Sequence, residues 1–520
     1  MKSFITNKII DILPLSMRKI AYFLKVSISN NNMRNSYYDY SKYFKDNLSK
    51  FKNNKEGEKI CFIIGPWGGT STPWFTITLS FLMLFKKKCN ISFIYVDIPF
   101  PKYDYAYFID QYFISKLLKL INKNFNVITL SDVHEFEGEI DHLDQFVKNN
   151  MTHYTKAKCF IEENDILYAE IEKHLETVQR RAIKLFETID IDKLITPGGV
   201  WAYSSIFVIE SKKHQIPFFT FDSTYGCITF TRNGIASQQQ DIEEAFDLLM
   251  SNDESEIDSI YNRAKKEFFL RQRGEDIFNY QLVKKTGKSY DFEVVFILNI
   301  DWDSSAVGLH NKFENTIDWI TETVQYILGH STYKIAIRQH PAERCDSDKS
   351  NYSLKTILDE KFGENPRFKF ISAYDKVNTY DLMDKCKIVL AYTSTMAIEA
   401  AAMGKSVIIA GNCYYQNLGF LHHSETKDEY FQKIEEALND KLNNFEFQER
   451  NAWVTYYLTQ ICNRAWTDFT PLFVDFEKWV VKDFMVLSEE VEVSKLLESL
   501  DENKPYAYVM HEHFQSEKCK

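Results

Sequence analysis

Short apolar runs alternate with helical patterns twice along this chain, and this alternation restricts its fold more than any other feature. The first series opens at Ile60–Ile64 (ICFII) and continues through Ile91–Val96, Asn126–Leu130, a run ending at Leu194–Thr196, and Pro217–Phe221. The second opens at Glu293–Ile300 (EVVFILNI) and continues through Tyr333–Ile337, Phe368–Ile371, Ile388–Leu390 and Val407–Ile409. Helical patterns fill the gaps. One runs to Phe85, a long one covers residues 150–190, one covers Tyr203–Lys213, and one covers Met396–Met403. Another places Ile317, Ile320, Val324, Ile327 and Leu328 on one face. Strands separated by helices pair in parallel, because a parallel neighbour needs a crossover connection. Two such series predict two α/β domains. The expected division is a helical segment over 1–55, a first α/β domain over 56–290, a second over 291–450, and C-terminal helices with a tail over 451–520. Residues 238–290 are charged and helical without a sheet signal and are assigned to the first domain as an extension.

Composition removes several function classes. No stretch approaches the ~20 apolar residues of a membrane-spanning helix. The apolar run around Ile77–Phe85 stops at Lys86, Lys87 and Lys88. Asp11, Pro14, Arg18 and Lys19 interrupt the N-terminal stretch, which has no small-residue cleavage site; a cytoplasmic location is expected. A net charge of -11 argues against a nucleic-acid partner, which needs a basic face. Nine scattered cysteines without a CxxC read as reduced core residues. Within the first segment, Ile9, Ile10, Ile12, Leu13, Ile20, Phe23 and Leu24 stand among Lys8, Arg18, Lys19 and Lys25. Ile9–Val26 is therefore either a peripheral contact with the inner face of the plasma membrane or helical pieces packed on the protein.

Some familiar-looking motifs fail on spacing. Gly404-Lys405-Ser406 lacks the Gly that a phosphate-binding P-loop needs five residues earlier, where Glu399 stands. Gly65–Gly69 is not a GxGxxG. Asp301-Trp302-Asp303 resembles a metal-binding DxD, but it opens the second of two series; it is read as a polar loop with Ser304 and Ser305 as cap candidates, and no metal site is expected.

Other motifs sit where ligands bind. Arg338-Gln339-His340-Pro341-Ala342-Glu343 follows an apolar strand directly, at the carboxyl edge that open α/β sheets use for binding. Arg338 offers a fork, His340 a hydrogen bond or a charge to a phosphate, and Pro341 fixes the exit of the loop. Tyr392-Thr393-Ser394-Thr395 follows a strand and opens a helix, where hydroxyls and N–H groups either hold an anion or simply cap. With Thr395 as cap, Glu399 is not the capping-box partner, which leaves it to bind ribose hydroxyls or to stand in solvent. In the first domain, Gly65-Pro66-Trp67-Gly68-Gly69-Thr70 is glycine-dense in a chain with only 17 Gly. It is either a tight turn or a place where a ligand meets backbone, with Gly65, Trp67, Gly68 and Gly69 as candidate acceptor contacts. Thr196-Pro197-Gly198-Gly199 repeats the arrangement. Asp97 ends the second strand and Asp222 follows Pro217–Phe221; with Glu343 they are candidates for the carboxylate that takes an acceptor proton. His422-His423 reads as a solvent-facing pair.

The segment from NIDWDSS through IRQHPAE to AYTSTMAIEAAAMGKSVIIAG, roughly residues 293–425, resembles the C-terminal half of bacterial capsule polysaccharide biosynthesis proteins. These are GT-B-like glycosyltransferases related to Kdo transferases. The resemblance implies a GT-B-like α/β fold: two Rossmann-like parallel-sheet domains facing a cleft, with N- and C-terminal helices. It implies a phosphate-holding role for His340, Thr393, Ser394 and Thr395, and a ribose or base role for Glu399. The expected reaction moves a sugar, Kdo or another acidic sugar, from a nucleotide donor to a surface-polysaccharide acceptor. A CMP-sugar donor, a glycan or lipid-linked glycan acceptor and no cofactor are expected. Polyol-phosphate transfer from a CDP-alcohol and sugar-nucleotide epimerisation remain as alternatives.

Overall fold

The computed structural model of the chain describes Met17, Ala21 and residues 41–51, 53–67, 72–101, 105–156, 166–224, 227–251, 257–276, 282–285, 287–310, 312–346, 348–442, 448–466 and 483–518. The segment Ile9–Val26, apart from Met17 and Ala21, lies outside them, as do Gly68, Gly69 and Thr70. Among the described residues no helix is long and apolar enough to cross a membrane.

The chain forms two compact units. One comprises Met1–Val147, Asn164–Ser237 and Arg464–Lys520, the other Lys148–Glu163 and Gln238–Asn463. The boundary expected after residue 290 thus falls at Ser237/Gln238. The reason is packing that the charged surface of the extension conceals. Helix Ile257–Arg273 buries Ile260, Ala264 and Phe268, and the Phe268 ring meets Tyr380, Trp453 and Tyr456 edge-on, all in the second unit. The expected closing segment over 451–520 is also divided, since residues from Arg464 onward join the first unit.

The first unit is built on a seven-stranded sheet. Strands β1 (Lys59–Ile64), β2 (Asn90–Tyr95), β3 (Asn126–Thr129), β4 (Lys193–Pro197) and β5 (Phe218–Thr224) run parallel in the order β3-β2-β1-β4-β5. Ile60 of β1 lies beside Ile91, and Cys61 beside both Ser92 and Leu194. Near-continuous burial of β1 and β4 fits central strands covered on both faces. The sheet is not wholly parallel, as had been expected. β6 (Cys227–Arg232) returns antiparallel along β5, and β12 (Ala465–Trp466), added from the C-terminal segment, is antiparallel to β6. The single helix expected over 150–190 is instead described as Asp144–Thr155 and Ile166–Thr188.

The second unit has five strands, all parallel: β7 (Val294–Ile297), β8 (Ile335–Arg338), β9 (Phe368–Ile371), β10 (Ile388–Ala391) and β11 (Ser406–Ile409). Their order, β9-β8-β7-β10-β11, repeats that of the first unit's parallel strands. Helix Thr316–His330 turns Ile317, Ile320, Val324 and Ile327 into the core formed with Val294, Phe296 and Ile337. Asn315 starts this helix by accepting the Asp318 N–H at 3.0 Å. Two sheets of one Rossmann-like order in a single chain are the GT-B-like plan. In each sheet the order reverses between the first and fourth strands, and the carboxyl ends at such a reversal are where open α/β sheets bind ligands.

Candidate functional site

In the second sheet the reversal point lies between β7 and β10. β7 ends at Ile297, three residues earlier than its apolar run implied. The run continues because Ile300 and Trp302 leave the sheet to pack with Ala342 from the loop after β8. The loops after β7 and β8 are thereby tied together. The loop after β10 joins them: the Thr393 N–H donates to Asn299 Oδ1 at 3.2 Å, and Thr393 Oγ1 to the Ser305 carbonyl at 3.4 Å. The sequence reading missed Asn299 because it placed that residue inside the strand.

The two aspartates of Asp301-Trp302-Asp303 face different partners. Asp303 Oδ1 accepts the Ser305 N–H at 2.9 Å and its hydroxyl at 2.7 Å, which closes the turn. Asp301 Oδ2 accepts the Tyr352 hydroxyl at 2.5 Å. Burial pushes the Asp301 carboxyl above the usual aspartate range, against the pull of that hydrogen bond. Both aspartates thus brace the loop through side-chain hydrogen bonds, and the hydroxyl of Ser305, a cap candidate by sequence, donates to Asp303.

His340 caps the short 3-10 turn Pro341–Arg344, with Pro341 in its first position. Its Nδ1 accepts the Ala342 N–H at 3.3 Å, which requires Nε2 to carry the ring proton. Burial lowers the imidazole pKa to about 4; Arg338 and Arg271 add to this and Asp303 opposes it. His340 is neutral at physiological pH. In this state the imidazole has an Nε2–H to offer and no charge. Glu343, 8% exposed, accepts from the Ser350 N–H and hydroxyl, both at 3.2 Å. Burial raises its carboxyl pKa and nearby Asp301 adds to the rise.

Thr393 and Ser394 are buried at the start of helix Met396–Ala402. Ser394 takes the capping role expected of Thr395: its Oγ accepts the Met396 N–H at 3.4 Å, and Thr395 makes no side-chain cap bond. The Tyr415 hydroxyl holds the Ser394 carbonyl at 2.7 Å. Behind the loop, the Tyr392 hydroxyl meets His310 Nδ1, a histidine that no motif singled out and whose pKa burial lowers.

Glu399 departs from its expected role. It is 1% exposed, pairs with Arg271 Nε at 2.8 Å and accepts the Tyr380 hydroxyl at 2.6 Å. Both carboxylate oxygens are engaged inside the unit, and the residue fastens helix Ile257–Arg273 to helix Met396–Ala402 rather than standing open to a ribose. Arg338, the last residue of β8, is 1% exposed, and its Nη1 donates to the Ser372 carbonyl.

The first sheet reverses between β1 and β4, and there two glycine-bearing loops meet. Gly198 has φ +65°, and a Cβ on it would stand 2.8 Å from the Trp67 ring. A Cβ on Gly65 would stand 2.7 Å from the Tyr203 ring. Trp67 and Tyr203 themselves meet edge-on at 5.7 Å. The glycines thus admit aromatic rings of the protein. Asp97, after β2, accepts the Ser131 N–H at 3.0 Å and hydroxyl at 2.5 Å, so both its oxygens brace the following turn. Asp222 does not follow a strand. It lies within β5, opposite Thr229 of β6, because the strand runs on into an antiparallel hairpin.

The profile of the capsule polysaccharide biosynthesis protein family matches residues 251–449. No curated protein matches the chain in sequence. Among solved structures it is similar to KpsC of Thermosulfurimonas dismutans, a beta-Kdo 2,7-transferase, at 16% identity over 53% of this chain and 79% of that one, with a TM-score of 0.32. It is also similar to the KpsC beta-Kdo 2,4-transferase of the same organism, at 13% identity over 51% and 79%, with a TM-score of 0.35. A third is the UDP-GlcNAc 2-epimerase of Methanocaldococcus jannaschii, at 14% identity over 77% and 99%, with a TM-score of 0.24. The three joined loops all fall within residues 251–449, the part of the chain that the profile of the capsule polysaccharide biosynthesis protein family matches.

Proposed function

We propose that the chain transfers a sugar from a nucleotide donor to a surface-polysaccharide acceptor, and that the donor phosphate is held at the carboxyl edge of the second sheet. One observation carries the reading. The loops after β7, β8 and β10 are joined at the reversal point of a parallel sheet, within the segment matched by the capsule family. Breaking a sugar–phosphate bond develops negative charge on the leaving oxygen, and preorganised donors in a water-poor site stabilise it. The Nε2–H of His340 and the hydroxyls of Ser394 and Thr395 are such donors; the Thr393 hydroxyl joins them only by leaving the Ser305 carbonyl. A CMP-activated acidic sugar such as Kdo is the preferred donor in this reading. Glu343, whose pKa is raised by burial, is the preferred proton acceptor of the three carboxylates. Gly65 and Trp67 are the proposed acceptor contacts, although the glycine itself is closed by Tyr203.

Purified protein incubated with CMP-, UDP- and GDP-sugars and a capsule oligosaccharide, followed by mass spectrometry of the products, tests this. A new glycoside, formed equally in EDTA because Asp301 and Asp303 face different partners, is the expected product. A new phosphodiester would replace the reading by polyol-phosphate transfer, and an isomerised sugar nucleotide by epimerisation.

A further inference from the structure

Arg338 carries a cation into the interior and leaves most of it unanswered. Of its guanidinium nitrogens, Nη1 donates to the Ser372 carbonyl. Nε and Nη2 are buried without a hydrogen-bond partner among the described residues. Asp375 lies near enough to favour the charged form, yet it makes no ion pair with Arg338; its Oδ2 accepts the Ser372 N–H at 2.7 Å instead. Burial lowers the guanidinium pKa only to about 10, so the group stays charged at neutral pH.

Buried donors in native proteins nearly always have partners, and a buried, half-satisfied cation is among the costliest exceptions. The two unsatisfied groups here are not scattered. Nε–H and the outer N–H of one Nη lie parallel on one edge of the planar guanidinium, at the spacing of two oxygens of a single carboxylate or phosphate. This edge belongs to the last residue of β8, two residues before His340 and beside the loop that carries the proposed phosphate donors.

We propose that Arg338 is an oxyanion-reading residue whose Nε/Nη2 edge takes both oxygens of one carboxylate or phosphate on the donor. The proposal rests on the donor-site reading for the source of that anion: the carboxylate of an acidic sugar, or the nucleotide phosphate. It adds that the anion is bound in two-point geometry by a desolvated arginine, so that charge alone does not replace it. Lysine has the charge and lacks the fork.

Two measurements on the full chain test this. The first is thermal unfolding in buffer free of oxyanions, then with millimolar inorganic phosphate or acetate. The wild-type midpoint is expected to rise with at least one of them. Arg338→Met, which removes an unpaired buried charge, should match or exceed the wild-type midpoint without anion and show no rise; Arg338→Lys should show a much smaller rise. A full rise in Arg338→Lys, or a methionine variant that is folded but several degrees less stable without anion, overturns the proposal. If the methionine variant does not fold, the lysine variant decides.

The second measurement is calorimetry with CMP and with CMP-N-acetylneuraminate, a nucleotide bearing a sugar carboxylate. Loss of tenfold or more in Arg338→Lys for both ligands assigns the phosphate; loss for the acidic sugar nucleotide alone assigns the carboxylate. Equal affinity of variant and wild type for both overturns the fork and leaves the donor reading in place. A wild-type chain that binds no nucleotide but keeps an Arg338-dependent response to phosphate or acetate removes the donor reading and leaves the fork.

Discussion

The His340 imidazole is neutral and its Nδ1 is engaged by the Ala342 N–H, so it offers a ligand one Nε2–H and no charge. A neutral hydrogen bond is worth about 1 kcal/mol net. His340→Ala should therefore weaken nucleotide affinity roughly fivefold in calorimetry, and affinity should not change between pH 6 and 8 on account of this residue. The effect on stability has a definite sign. Unfolded, the imidazole takes up a proton near pH 6.5; folded, it does so only near 4. The unfolded state then binds more protons in this window, so the stability contributed above pH ~6.5 is lost as pH falls toward 4. His174 and His422, also held near 4, act in the same direction. The raised carboxyls of Asp301 and Glu343 act oppositely, and what they contribute at low pH is lost as pH rises. Thermal midpoints of wild type and His340→Asn at pH 7 and pH 5 should therefore differ, the variant losing less on acidification. Glu399 belongs to a different class. Glu399→Ala leaves the Arg271 cation facing a cavity, with its ion pair to Asp276 at 3.2 Å still in place. It should cost about 3 kcal/mol in denaturant unfolding while shifting nucleotide affinity less than twofold; a large affinity loss at unchanged stability would restore the ribose role.

At the scale of elements, Gly198 is where backbone and packing agree most closely. Its φ of +65° is a conformation that side chains resist, and a Cβ would meet the Trp67 ring at 2.8 Å. Gly198→Ala should cost about 1–3 kcal/mol, read as a lowered urea midpoint at unchanged slope. The strands themselves were legible because β1, β2 and β7 through β10 are four- to six-residue segments, mostly apolar, bounded by polar loops. The illegible parts share a physical cause: polar residues whose partners come from elsewhere in the chain. Asp222 and Thr224 look like a loop because β5 becomes a hairpin arm whose partner, β6, lies nearer the sheet edge. Glu399 looks solvated because Arg271 reaches it from a helix long before it in sequence. The joining of the loops after β7 and β10 depends on Asn299, which reads as strand until one sees Ile300 and Trp302 pack outside the sheet.

At the scale of the molecule, the chain returns at its C-terminus to complete the unit in which it began. β12 adds to β6, Tyr506 meets Phe230 edge-on, and Phe484 packs with Phe44, Phe51 and Phe81. Ending the chain after Asn463 should expose those rings and the β6 edge. Hydrogen exchange at Cys227–Arg232 should then quicken while β7 to β11 keep their protection, since among the described residues their core contains none beyond Asn463. Loss of protection in both sheets alike would make the two units one cooperative block. The second sheet's carboxyl edge is the proposed seat of the nucleotide donor. Hydrogen exchange of the full chain with and without CMP, CDP, UDP or GDP tests it directly. At least one nucleotide should slow exchange in 298–306, 338–346 and 391–397 together. Protection confined to 64–67 and 197–203 of the first unit, or no protection with any of the four, would contradict it.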